Sequence, residues 1–203
     1  MAEQLSSLKV FNRWSAENIV VSDPGLVRYI NLTARIVPFT SGRHIGTQFH
    51  KGKVFIVERL INKLMVTGHK GKKHMLTSGY HTGKKYTATA IVQEAFVIIE
   101  QKTKKNPIEV FVKAIENAAP REEIISISYG GARYPKAVEC APQRRIDLAL
   151  RYMTQGAFQK SFNTKRSIAT TLADEIVNAY YLSPQSAAIS KKNEMERQAD
   201  SSR

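Results

Sequence analysis

The stretch EIISISYGGARYPKAVECAPQRR, residues 123–145, decides the fold class, because it sets a two-stranded ribbon directly before a doubly basic helix start. Ile125, Ile127 and Tyr129 alternate with Ser126 and Ser128, the period of two that gives a strand one apolar face. Gly130-Gly131 supplies the two left-handed positions of a tight hairpin turn, which glycine reaches without a Cβ clash. A return strand follows through Tyr134, Lys136, Val138 and Cys140. Pro135 near the tip withholds an amide donor, which suits an exposed ribbon better than a sheet interior. No other stretch reads as a comparable strand pair. A lone ribbon is marginal in water, so this hairpin, about residues 123–141, must lean on a helical body or on a partner. Its tip, Tyr129, Gly130, Gly131, Ala132, Arg133 and Tyr134 with Lys136 just below, offers aromatics and cations but no acid. That chemistry suits nucleic acid better than catalysis. Two roles stay open for the tyrosines: contact with a partner, or packing on their own strands.

Around the hairpin the pattern is helical. Ile56, Leu60, Ile61, Leu64 and Met65 recur at three- and four-residue steps with Arg59 and Lys63 on another side, and this helix stops near Thr67-Gly68. A second, from about Thr87 to Lys102, carries Ile91, Val92, Ala95, Phe96 and Ile99. The third has Asn106 as N-cap, Pro107 at the first helical position and Glu109 placed for a capping box, with Val110, Phe111, Ala114 and Ile115 as its core face and Pro120 as its stop. A fourth opens after Ala141-Pro142 with Arg144-Arg145 in its first turn, where the helix dipole disfavours cations, and an Asp147–Arg151 pair four residues apart offsets part of that cost. The fifth runs from Thr164 to about Tyr180 through Ile168, Leu172, Ala173, Ile176 and Val177. After Ser183-Pro184, residues 183–203 form a polar tail, helical only when docked. The fold class is therefore mainly α: a bundle of about five to six helices, one protruding β-hairpin and an N-terminal extension.

Residues 1–40 are that extension, and 41–203 the binding body. Phe11, Trp14, Ile19, Val20 and Val21 are anchors for packing on the body, and Asp23-Pro24 is a helix start. An arm that orders only on binding is the open alternative. Residues 41–53 form an extended basic strap rich in glycine.

Of 203 residues, 31 are Lys or Arg and 17 Asp or Glu, a net charge of +14, so an anionic partner is the first expectation. The excess is segregated. Residues 41–105 hold 13 Lys and Arg against 3 Glu, a sign bias that a merely solvated face does not need. The phosphate-facing candidates are Arg43, His44, Lys51, Lys53, Arg59 and Lys63, then Lys70, Lys72, Lys73, Lys84 and Lys85 in the 68–85 loop. Arg144, Arg145, Arg151, Lys160, Lys165 and Arg166 follow downstream. Phe49 and the histidines are candidates for stacking or backbone contacts. Because most of the excess lies upstream, the hairpin is a probe held out from a body anchored elsewhere, with Arg144-Arg145 fastening its base.

Several chemistries are excluded. The glycine-rich run at Gly79–Lys84 is one residue short of a phosphate-binding loop, and Lys85 stands where a magnesium-binding hydroxyl is required. His69, His74 and His81 lack the spacing and the carboxylate or cysteine partners of a metal site. Asp174-Glu175, the one tempting acidic pair, points its side chains about 100° apart on a helix, so an RNA-directed enzyme lacks its catalytic constellation. A DNA-binding helical protein, the alternative function, needs a recognition helix and usually a dimer face, and neither stands out. The single cysteine fits a reducing compartment, and neither a run of about 18 apolar residues nor a signal peptide is present. No cofactor, metal, membrane or small-molecule substrate is expected.

IVERLINKLMVTGHKGKK (56–73), NPIEVFVKAIENAAPREE (106–123), the hairpin running into APQRRIDLAL (141–150), ATTLADEIVNA (169–179) and KKNEMER near the terminus resemble small-subunit ribosomal protein seven, the universal head-domain protein, in its archaeal and eukaryotic form. The N-terminal region, with WS at 14–15, resembles the extension of non-bacterial members, while the 74–86 loop is longer than members commonly carry. The resemblance implies a structural, cytoplasmic ribosomal protein that binds rRNA of the 3′ major domain directly and helps assemble the head. It also implies neighbouring head proteins as partners and a hairpin that approaches the exit-site tRNA and the mRNA.

Overall fold

The computed structural model describes residues 8–66 and 81–203. Among them are six α-helices: α1 (Ile56–Leu64), α2 (Lys85–Thr103), α3 (Pro107–Ala118), α4 (Pro142–Ser161), α5 (Ile168–Tyr180) and α6 (Ala187–Asp200). Two antiparallel pairs complete the fold, β1 (Lys9–Val10) with β2 (Trp14–Ser15) and β3 (Glu122–Tyr129) with β4 (Ala132–Glu139). The architecture is mainly α, as the periodicity requires. The hairpin is not the only strand pair, however. β1 and β2 are two residues each, too short to leave an alternation in sequence, and their turn places Phe11 and Asn12 at positive φ.

Helix α5 is the centre, with α2, α3 and α4 all packed on it. Leu172, Ala173 and Ile176 are fully buried, and the alanines of this helix let its neighbours approach closely. It begins at Ser167 rather than Thr164. Asn163 sits at φ 54°, which breaks the turn, and Ser167 Oγ then accepts the Thr170 N–H at 3.2 Å as the cap. Asn106 caps α3 as expected, accepting the Ile108 N–H at 3.1 Å, while its amide donates to the Ser15 carbonyl at 2.6 Å.

That second bond ties the first residues to the body. Val10 and Trp14 are buried, and the indole meets Phe96 edge-on with ring centroids 5.8 Å apart. Asp23-Pro24 does not open an α-helix. The Asp23 carboxylate accepts the Gly25 N–H at 2.9 Å and the chain makes one 3₁₀ turn, Val27–Tyr29. Residues 41–53 are not extended either. They fold into successive turns that end in a 3₁₀ turn at His50–Lys53, because Thr40 is locked onto buried Glu58 at one end and Phe55 bridges Asn31 at the other. The polar tail is helix α6, and it is docked. Ala188 and Ile189 are buried, Lys192 Nζ donates to the Asn117 carbonyl at 2.8 Å, and the Arg121 N–H donates to Glu196 at 3.0 Å.

Helix α6 also carries the base of the hairpin, packing on both β3 and β4. The register pairs Ile127 with Tyr134 and Tyr129 with Ala132, and Gly130 (φ 56°) and Gly131 (φ 83°) make the two-residue turn. Beyond the base the ribbon is uncovered, with Ile125, Ile127, Tyr129 and Tyr134 all exposed.

Candidate nucleic-acid interface

The two arginines at the start of α4 have different surroundings. Arg144 is exposed and pairs with Glu123 of β3 at 2.6 Å, whose carboxylate holds the guanidinium above its ordinary value. Arg145 is buried. Its Nε donates to the Pro120 carbonyl at 3.1 Å and its Nη2 to Asp23 at 2.7 Å, so it joins the N-terminal region, the end of α3 and the start of α4. Burial alone would raise the Asp23 carboxyl, but Arg145 and the Gly25 N–H outweigh it and hold the group below its ordinary 3.8. The pair thus fastens the hairpin base, and Arg145 is not on the surface to meet a phosphate.

Asp147 does not pair with Arg151. Tertiary packing brings it two other cations, Lys51 Nζ on one oxygen and Arg59 Nη2 on the other at 2.9 Å. Arg59 is 7 % exposed and its Nη1 donates to the Tyr29 carbonyl, so this residue is an internal strut. Lys63 lies within the electrostatic reach of the same carboxylate, and Arg151 within that of Lys63. Burial and the positive charges of Arg151 and Lys51 depress the half-buried Lys63 ammonium, only partly relieved by Asp147. Two cations of the 51–63 segment therefore pair with one carboxylate, Lys63 lies within its field and Arg151 within that of Lys63, and the site keeps a surplus of positive charge.

A cleft of about 450 Å³ opens beside this cluster in sequence, lined by Arg35, Phe39, Arg43, His44, His50 and Lys53 among others. No acid lines it. Its wall is fixed from behind: buried Glu58 accepts the Thr40 N–H and hydroxyl and the Lys85 ammonium, each at 2.8 Å. These bonds outweigh burial and keep the Glu58 carboxyl below its ordinary 4.5. Lys85 lies over the Phe39 ring at 4.5 Å. It is thus a structural cation, whereas Lys84 is exposed at the start of α2.

Of the other candidates, Lys160 donates to buried Glu175 and to the Gln185 carbonyl, locking α4 to α5 and to the turn that leads into α6. Lys165 and Arg166 are exposed in the α4–α5 connection, and Arg133 and Lys136 are exposed on the hairpin, far from the base. Lys70, Lys72 and Lys73, with His69 and His74, lie outside the described residues. The acidic pair is structural: Asp174 takes Lys102, and Glu175 also accepts the Ser186 hydroxyl and the Ala188 N–H. Burial and the charge of Glu123 push the Cys140 thiol up to about 11, so it is no nucleophile at neutral pH. Among the described residues no three His, Cys, Asp or Glu are grouped for a metal, and no helix is long and apolar enough to cross a membrane. His50 is among the histidines that the sequence offered for such contacts; sequence reasoning missed Arg35, Phe39 and Tyr86, the first two of which fell in the segment read as extension, and only folding brings them to the basic turns.

Among the described residues the arrangement presents cations, exposed aromatics and no reacting group, which suits the backbone and unstacked bases of structured RNA. Comparison with known proteins points the same way. The family described as Ribosomal protein S7p/S5e matches residues 26–203. The chain is similar to the small ribosomal subunit protein uS7 of Nanoarchaeum equitans, 55 % identical over 97 % of this chain and 99 % of the relative. It is 50 % identical to that of Archaeoglobus fulgidus, over 97 % and 95 %, and 48 % to that of Methanothermobacter thermautotrophicus, over 95 % and 97 %.

Proposed function

The chain belongs to the ribosomal protein S7p/S5e family, and on that premise we propose that it binds rRNA of the 3′ major domain directly and helps assemble the head of the small subunit. It is a structural constituent of that subunit and not an enzyme. The observation that carries the RNA reading is the crowding of Lys51, Arg59 and Lys63 about the single Asp147, with Arg151 beside Lys63. Unneutralised cations held this close oppose folding, and a polyanion that releases its counterions on binding relieves them. Lys63, Arg151 and Lys51 are the phosphate contacts of this cluster. Arg144, Arg43, Lys53, Lys84, Lys165 and Arg166 extend the footprint, with Arg59, Lys85, Arg145 and Lys160 holding the surfaces behind it. The hairpin has no such cluster. Its uncovered ribbon, with Tyr129 81 % exposed, is the part presented toward the exit-site tRNA and the mRNA.

Filter binding of the full chain to transcripts of separate rRNA domains tests this. Affinity for the 3′ major domain should exceed that for the 5′ domain by at least about tenfold and fall steeply with salt. Equal affinity for both transcripts would remove the domain assignment.

A further inference from the structure

Resting on the rRNA-binding reading above, we propose that the cleft lined by Arg35, Phe39, Arg43, His44 and Lys53 holds one unstacked nucleotide of the bound rRNA, its phosphate on the cations and its base against Phe39 and Tyr86. The cleft's volume of about 450 Å³ lies within the range of sites that enclose a small ligand. Two arginines and a lysine share it with no acid among its lining residues, so the charges repel one another until an anion enters. His44 gives a second, independent sign. Its Nδ1 is buried and has no hydrogen-bond partner among the described residues, a condition that native structures rarely tolerate without a ligand or water.

The aromatics favour a base over a bare phosphate. Phe39 and Tyr86 have ring centroids 6.4 Å apart and are tilted 35° to each other, yet they are 47 % and 83 % exposed. Two neighbouring rings left open beside a basic cleft form a platform for stacking, which every base accepts. The platform is set in advance. Lys85 lies on Phe39 and is itself fixed by Glu58, which also grips Thr40 next to Phe39. Little ordering is therefore left for the binding step. Structured RNA offers the matching group, because loops and bulges present bases that are already unstacked.

The full-length protein and a 3′ major domain transcript provide the test. Phe39→Leu and Tyr86→Leu should each weaken binding about 5- to 20-fold with no change in salt slope, since a stacked base is lost but no cation is. Arg35→Ala and Arg43→Ala should weaken binding and flatten the slope by about 0.7–0.9 each. Ultraviolet crosslinking of the wild-type complex should attach RNA to the peptide holding Phe39 or to that holding Tyr86. If the wild type binds but both aromatic variants bind equally well, the cleft is not a nucleotide site while the rRNA reading stands. If the wild type itself does not bind, both fall. Tyr86→Leu alters a ring that is mostly in solvent, so it reports even if Phe39→Leu unfolds.

Discussion

Arg144 and Arg145 are adjacent in the chain and have opposite roles in the structure. Both break the dipole preference of a helix start, and the sequence offers no way to tell them apart. Burial does. Replacing Arg145 by alanine leaves Asp23 and the Pro120 carbonyl without their donor, so it should cost about 2–3 kcal/mol, the lower end for a broken ion pair because Asp23 stays partly exposed. Thermal unfolding should show a fall in Tm of roughly 5–10 °C for a chain of this size. Lysine at this position should not rescue it, since one ammonium cannot reproduce the two separate bonds of the guanidinium. Arg144→Ala, exposed and paired only with Glu123, should change Tm by no more than about 2 °C. Asp147 carries the same lesson: its partner four residues on was the legible one, and the two it uses come from residues 51 and 59.

Among the elements, those with strong local signals were legible. The Asn106-Pro107 start of α3 depends on a side-chain acceptor followed by a fixed φ, and the Gly130-Gly131 turn on two positive-φ positions; few residues supply either, and both are where the sequence puts them. Helix α6 was legible only as a polar tail that is helical when docked, because its apolar content is small and its stability comes from contacts with α4 and the hairpin base. Gly156 of α4 sits against the start of that docked helix. A Cβ there would lie 2.7 Å from the Ala187 Cβ and 3.1 Å from Glu175 Cδ. Alanine raises intrinsic helix propensity by about 1 kcal/mol. Overpacking works against it here, costing about 1–3 kcal/mol and displacing the Ser186–Ala188 turn from Glu175. Gly156→Ala should therefore lower Tm by a few degrees rather than raise it, and amide exchange should show faster opening of α6 than of α3.

At the scale of the whole molecule, part of the basic excess read along residues 41–105 becomes two features adjacent in sequence, a cation cluster shared with α4 and a cleft without acids. The amount of charge was visible in sequence; its division into struts and open cations was not, because that depends on which carboxylates folding delivers. The hairpin stands apart from both, resting on α6 and bare at its tip. The central claim is that the body anchors the protein on RNA and the hairpin projects from it. The most direct measurement is filter binding to the 3′ major domain across a salt series, comparing the wild type with Lys63→Met/Arg151→Met and with a hairpin whose residues 127–134 are replaced by an Asn-Gly turn. The body variant should lose affinity at least about tenfold at low salt and lower the slope by about 1.5, while the shortened hairpin binds as the wild type does. A shortened hairpin that no longer binds, beside a body variant that binds unchanged, would contradict the account.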